Sequence, residues 1–174
     1  MLLFSLSDLR SRQFTSPENV FDRVGRKIGK TVSNVCRVSG LTEGKTGGIT
    51  MNTAKDYASV RTVIEGYIRG SFTADTALLR RCFHPDALMS GFYGGDLEIG
   101  SPQPFYDQLE SEPSAERSGE AYQAEISFIH IAGRMASAGL VEANLLGADY
   151  VNHFQLLKIE EDWRIISKVY VDAF

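Results

Sequence analysis

Two hydrophobic periodicities follow one another along this chain of 174 residues. Apolar residues first recur every three or four positions, which predicts a helix from about Asp56 to about Phe72. A shorter helix is predicted after Asp75, a suitable N-cap, and we expect it to end at His84-Pro85-Asp86 because the residue before proline disfavours helical angles. A third helix is predicted to begin at Ser101-Pro102 and to end before Pro113.

From about Glu120 the hydrophobic period changes to two, which predicts strands. In the first strand, Ile126, Phe128 and His130 fall on one apolar face. Three further strands are predicted at Met135–Leu145, Tyr150–Ile159 and Trp163–Asp172. Helices followed by an antiparallel meander predict an α+β fold, with the helices packed on one face of a curved sheet.

Charge divides the chain into two parts. Residues 1–50 hold eight Lys/Arg and four acidic residues, so they carry +4, whereas the whole chain carries −4. The glycine-rich stretch Ser39–Gly48 reads as a linker, and Met51 follows it. We therefore expect residues 1–50 to be a basic, poorly ordered extension and residues 51–174 to be one domain.

Composition argues against several classes of function. The net negative charge argues against a nucleic-acid partner, and no run of 18 apolar residues suggests a membrane span. Cys36 and Cys82 match neither a disulfide framework nor a zinc site, which favours a reducing, cytoplasmic compartment. The three histidines lack ligand spacing, so we expect no metal and no cofactor.

The order of several short motifs resembles the nuclear transport factor 2-like (NTF2-like) superfamily, and within it the SnoaL-like group labelled "putative lumazine-binding". The motifs are Phe83–Ala87, Ile129–Ala138, Phe154–Lys158 and Trp163–Ile165, all downstream of the first helix. The resemblance covers about Asp56 to the C-terminus. It implies a cone in which three helices pack on a strongly bent antiparallel sheet around an apolar pocket, and homodimers formed through the sheet face.

Ketosteroid isomerase, an enzyme of this superfamily, implies roles for individual positions. In that enzyme a tyrosine and a protonated acid form the oxyanion hole and an aspartate is the base. Tyr67 corresponds to the tyrosine and Asn152 lies near the second donor, but the base position falls on Gly91, which has no proton-accepting side chain. We expect Gly91→Asp to introduce proton-transfer activity if the strand register places its carboxylate over the ligand.

These residues suggest a binding protein for a small hydrophobic or aromatic molecule. The expected pocket residues are Tyr67, Phe92, Tyr106, His130 and Asn152. Two alternatives stay open: an isomerase, cyclase or dehydratase acting on a carbonyl compound, with His130 replacing the missing base, and a protein-interaction domain. Dimerisation is expected because the last strand has apolar residues on both faces. They are Ile165, Val169 and Val171 on one face, with Ile166 and Tyr170 on the other.

Overall fold

The structure, a computed structural model, describes residues 54–173. The expected extension 1–50 and Met51 lie outside the described residues, so the proposed division of the chain stays a prediction. The elements, in chain order, are α1 (Ala54–Thr73), α2 (Thr76–Cys82), β1 (Phe83–Tyr93), β2 (Asp96–Gly100), α3 (Gln103–Ser111), α4 (Ala115–Ser118), β3 (Gln123–Ala132), β4 (Met135–Leu145), β5 (Ala148–Ile159) and β6 (Asp162–Ala173).

The α+β class and the three longer predicted helices are confirmed. The strands form one sheet in the order β2-β1-β6-β5-β4-β3, antiparallel throughout except for the parallel pair β1 and β6. The hairpin of β1 and β2 lies between the second and third helices, so the helices do not all precede the sheet. Pro85 lies within an irregularity of the β1–β6 register, where its missing N–H costs no ladder hydrogen bond.

Helix α1 buries one face against the sheet, as its periodicity predicts. Val60, Ile64 and Tyr67 are fully buried on that face. Asp75 caps α2 as expected, since its carboxylate accepts a hydrogen bond from the backbone N–H of Leu78 at 2.8 Å. Gly70 allows α1 and α2 to meet closely, because a Cβ there would lie 2.7 Å from Cγ of Leu79.

A β-bulge in β6 decides which of its side chains face the core. Gln155 pairs with Ser167 but Leu156 pairs with Ile165, which leaves Ile166 as an extra residue in β6. Beyond the bulge, Lys168 is turned inward and is only 3% exposed, whereas Val169 is 51% exposed. The expectation that Ile165 and Val169 share a face is therefore wrong, because strict alternation does not survive an inserted residue.

A second bulge has the same effect on β3. The β3–β4 register shifts between Ile126 and Phe128, and from there Ile129 and Ile131 pack against the core. Phe128 and His130 are exposed. The prediction that His130 lies on the apolar face with Ile126 is wrong for this reason.

Between residues 54 and 173, no helix has the length and apolarity needed to cross a bilayer.

Gly91 gives a direct test of how closely β1 and β6 pack. A Cβ at Gly91 would clash with the carbonyl oxygen of Tyr170 and lie 2.7 Å from Cγ of its ring. We expect Gly91→Ala to lower the free energy of unfolding by about 1–3 kcal/mol, measured by chemical denaturation. In the matched variant Gly100→Ala the new methyl group meets no atom within 4 Å, so its stability should match the wild type. Equal stability of both variants would contradict this close approach.

Candidate functional site

A cavity of about 470 Å³ opens between the β1–β2 hairpin, helix α3 and the inner face of β6. Its lining combines tyrosine, phenylalanine and aliphatic side chains with a few polar groups. The lining residues are Met89, Tyr93, Leu97, Glu98, Ile99, Gly100, Ser101, Pro104, Phe105, Gln108, Leu145, Leu146, Tyr150, Lys168 and Tyr170. A size of this order and a mostly apolar wall with few polar groups are typical of small-molecule sites. This space is called the cavity below.

Lys168 is the buried cationic group of the cavity wall. Its Nζ donates a hydrogen bond to the hydroxyl oxygen of Tyr67 at 2.8 Å. The same Nζ lies 4.9–5.1 Å from the ring centroids of Tyr67, Phe105 and Tyr170. Aromatic faces attract an ammonium group, so these rings partly replace the water that burial removes.

Behind Tyr67 lies Glu142, a carboxylate with no exposed surface. One of its oxygens accepts a hydrogen bond from the hydroxyl of Tyr122 at 2.6 Å. The other accepts from the side-chain amide of Asn152 at 2.8 Å and from the hydroxyl of Tyr67 at 3.3 Å. Every partner donates, which is the pattern that an ionised carboxylate requires.

Lys168 and Glu142 are joined through a single hydroxyl group. An ammonium can only donate, so the Tyr67 oxygen accepts from Lys168 and its hydrogen points to Glu142. The three groups therefore form an ordered chain of hydrogen bonds from the cavity wall to the interior. Such a chain can pass a proton between its ends without bulk water.

Burial shifts the pKa values of these groups away from their usual ranges. It lowers the pKa of Lys168 to about 8, although the charge of Glu142 opposes this shift. It raises the pKa of Glu142, while Lys168 and the three donors oppose this rise. The pKa of the Tyr67 hydroxyl is raised well above its usual value by burial and by the charge of Glu142, so Tyr67 stays a neutral phenol. Only Lys168 then changes protonation state readily above neutral pH.

Two of the predicted pocket residues, Tyr67 and Asn152, are brought together by the fold. Both donate to the same oxygen of Glu142, so they meet at a carboxylate of the protein and are not among the residues that line the cavity. The Asn152 side-chain oxygen is buried and has no hydrogen-bond partner among the described residues. Tyr67 reaches the cavity indirectly, through its bond to Lys168.

The other three predicted pocket residues lie elsewhere. Tyr106 is buried beside Phe83, with the Arg80 guanidinium 4.4 Å from its ring centroid. Phe92 and His130 are exposed on the outer face of the sheet, away from the helices. None of these three residues lines the cavity.

The position that corresponds to the isomerase base is filled by a neighbouring residue. Gly91 pairs with Tyr170 across the parallel β1–β6 ladder, and the Tyr170 ring covers it. A carboxylate at position 91 has no room, which corrects the expectation that Gly91→Asp would place one over a ligand. The hydroxyl of Tyr170 instead donates a hydrogen bond to the carboxylate of Glu98 on β2.

Sequence reasoning missed Glu142 and Lys168. A signal for Glu142 was available, because it is the one charged residue in the otherwise apolar strand segment Gly139–Ala143. Lys168 gave no such signal, because alternation from the buried Trp163 and Ile165 places it on the outer face. Only the bulge at Ile166 turns it inward.

A search for metal-binding groups in residues 54–173 finds no cluster of three His, Cys, Asp or Glu side chains that could hold a metal ion. Cys82 is a buried free thiol, and burial raises its pKa to about 11, so it is not a nucleophile at neutral pH.

A second depression, of about 780 Å³, lies between α1, α2 and the β5–β6 turn. It is open to solvent, and several exposed charged side chains line it, Arg69, Arg81 and Asp162 among them. The cavity with Lys168 is the better candidate site.

Comparison with known proteins agrees with this architecture. Residues 55–171 match the sequence profile of a family described as "Putative lumazine-binding". Aldolase FrzH from Cladobotryum sp is 25% identical over 119 residues, which span 68% of this chain and 92% of that protein. The crystal structure of an NTF2-like protein of unknown function from Shewanella baltica OS155 is 26% identical, with a TM-score of 0.64, and the match covers 72% of this chain and 99% of that one.

A more distant solved structure shares the fold alone. The ketosteroid isomerase-like protein from Erwinia carotovora atroseptica is 15% identical, with a TM-score of 0.52. The match covers 70% of this chain and 99% of that one. The family match over residues 55–171, together with the Shewanella baltica neighbour, confirms the resemblance to the NTF2-like superfamily.

Removing the buried carboxylate tests the hydrogen-bond chain. Glu142→Ala leaves the donors of Tyr67, Tyr122 and Asn152 without their acceptor and removes the negative charge that faces Lys168. We expect it to lower the free energy of unfolding by about 3–5 kcal/mol, measured by denaturant titration. Glu142→Gln keeps the size and shape of the side chain, so it should lower the free energy of unfolding by less than Glu142→Ala does.

The matched control is Glu161→Ala, which removes an exposed carboxylate that pairs with Lys158 at 3.3 Å. The denaturant concentration at the midpoint of its unfolding should equal that of the wild type. A Glu142→Ala protein as stable as this control would show that the buried network contributes nothing to stability.

Proposed function

This chain belongs to the "Putative lumazine-binding" family of NTF2-like proteins, and we propose that it binds a small aromatic or aliphatic molecule bearing one carbonyl or anionic oxygen. The ligand occupies the cavity, with that oxygen directed at Lys168. The observation that supports this best is a buried ammonium in the wall of a largely apolar cavity. Such a group attracts one oxygen atom strongly while the remaining wall accepts apolar surface.

The shape of the cavity favours a flat ligand. Tyr93 and Tyr150 stack with their rings 15° from parallel, and both line the cavity together with Phe105 and Tyr170. Aromatic side chains in such numbers contact planar molecules well because ring faces and edges both offer favourable geometries. The name of the relative Aldolase FrzH adds support for a carbonyl compound.

Enzymatic alternatives based on other residues have less support. Isomerisation of the ketosteroid isomerase type needs a base, and the corresponding position is Gly91 beneath the Tyr170 ring. A cyclase or dehydratase that uses His130 would need that side chain inside, yet it is exposed on the sheet's outer face.

Matched phenol ligands test the proposal. We expect 4-nitrophenol, titrated into the full chain at a pH above the pKa of the phenol and below that of Lys168, about 8, to bind as its anion to the ammonium form of Lys168. In Lys168→Met its affinity should fall about 10- to 100-fold, since a charge-assisted hydrogen bond contributes roughly 1.5–3 kcal/mol. Calorimetry or the absorbance of the bound phenolate measures this.

Two controls accompany that titration. The uncharged ether 4-nitroanisole should bind wild type and Lys168→Met with equal affinity, and Phe128→Leu on the outer face should leave 4-nitrophenol binding unchanged. Wild-type protein that binds neither compound at millimolar concentration would refute the proposed function.

We also propose that a second copy of the chain covers the outer face of the sheet. That face exposes apolar side chains of β1, β3, β5 and β6. They include Leu88, Phe92, Phe128, Leu157 and Val169. The strand pairings place Ser90 beside Val169 and Val169 beside His153, so the patch continues across several strands. A monomer would leave this patch in water.

Sedimentation equilibrium tests the dimer. We expect the wild type to be a dimer at tens of micromolar, and Val169→Glu to raise the dissociation constant at least tenfold, because it buries a charge at the interface. Tyr57→Glu is the matched control: Tyr57 is 47% exposed but lies on helix α1, which packs on the other face of the sheet, so this variant should dimerise normally. A monomeric wild type would contradict the proposal.

A further inference from the structure

We propose that Lys168 is a nucleophilic catalytic residue that forms a Schiff base with a ketone or aldehyde bound in the cavity. This inference rests on the proposed function, since the carbonyl oxygen must first be directed at Lys168. It gives the cavity a catalytic role in addition to ligand binding.

The surroundings of Lys168 are those of a reactive lysine. Lys168 lines the cavity, its Nζ lies among three aromatic rings, and its hydrogen-bond partner is the Tyr67 hydroxyl. A lysine becomes a nucleophile when desolvation favours the neutral amine over the ammonium. Burial lowers the pKa of Lys168 to about 8, so roughly a tenth of it is neutral at pH 7.

Lys158 shows the contrast. Its Nζ pairs with the carboxylate of Asp56 at 3.1 Å and with that of Glu161 at 3.3 Å. The hydrogen bonds to these two carboxylates raise its pKa above the usual value. It therefore stays an ammonium under the same conditions, and it does not line the cavity.

The bond changes of the step balance without any further reactant. The Nζ lone pair of Lys168 attacks the carbonyl carbon, and the C=O π pair moves to oxygen. The new C–N bond gives a carbinolamine, whose oxygen leaves as water with two protons that were on the nitrogen. Counted from the ammonium form, lysine plus carbonyl gives an iminium plus one water, and the single positive charge is conserved.

Tyr67 and Glu142 act as positioning residues for this step. The Tyr67 hydroxyl fixes Nζ at 2.8 Å, and Glu142 places a negative charge behind it that stabilises the iminium. The hydrogen-bond chain can accept the proton that the ammonium must release before attack and return it to the oxygen that leaves as water. An iminium draws electrons from the adjacent carbon, which is the chemistry of aldol-type bond formation and cleavage.

Reductive trapping tests the inference. Full-length protein is incubated with 6-methoxy-2-naphthaldehyde, a planar aromatic aldehyde, and sodium cyanoborohydride, which reduces the iminium to a stable secondary amine. Peptide mass mapping then locates the adduct. We expect modification of Lys168 in the wild type at least tenfold above that of Lys55 or Lys158.

Two variants give the matched comparison. Lys168→Arg keeps a positive charge but has no amine that condenses with the aldehyde, so the adduct in its peptide should be lost. Lys158→Arg should leave modification of Lys168 unchanged. Circular dichroism checks that both variants fold. If Lys168→Arg does not fold, the peptide map of the wild-type protein still tests the inference.

The binding experiment with 4-nitrophenol separates the two proposals. Binding together with a preferential Lys168 adduct supports both. Binding with an adduct spread evenly over Lys55, Lys158 and Lys168 overturns the Schiff-base inference and leaves the binding function standing. Absence of both binding and adduct overturns both.

Discussion

A carboxylate removed from water is the constraint on which the interior of this domain depends. Glu142 is completely buried, and a buried anion is tolerated only when donors and a cation surround it. Helix α1 provides Tyr67, β5 provides Asn152, β6 provides Lys168, and Tyr122 approaches from just before β3. The network thus ties the helix layer to three strands and fixes their relative positions.

The same network makes the cavity chemically asymmetric. One wall carries Lys168, backed by Tyr67 and Glu142, while the aromatic side chains and the β1–β2 hairpin form much of the rest. A ligand with one polar end and an apolar body fits this distribution in one orientation. The buried network, the depressed pKa of Lys168 and the proposed function therefore have one physical origin, the exclusion of water from the inner face of the sheet.

Two bulges determine which side chains lie on the inner face of the sheet and which lie on its outer face. The inserted residue Ile166 turns Lys168 inward and Val169 outward, and the bulge in β3 turns His130 outward. A strand pattern read without bulges would bring His130 to the ligand and leave Lys168 in solvent. The two bulges therefore change the candidate catalytic group from a histidine base to a lysine amine.

The helices, most of the strands and the α+β class follow from the amino-acid pattern alone, because they depend on periodicity, caps and turn residues over a few positions. The family resemblance also predicted that Tyr67 and Asn152 lie close together. The folded chain was needed to see that both donate to Glu142, that Tyr170 fills the space over Gly91 and that Lys168 faces the cavity. The physical reason is that a one-residue bulge reverses every later side chain in a strand, and its position depends on pairing with a distant strand.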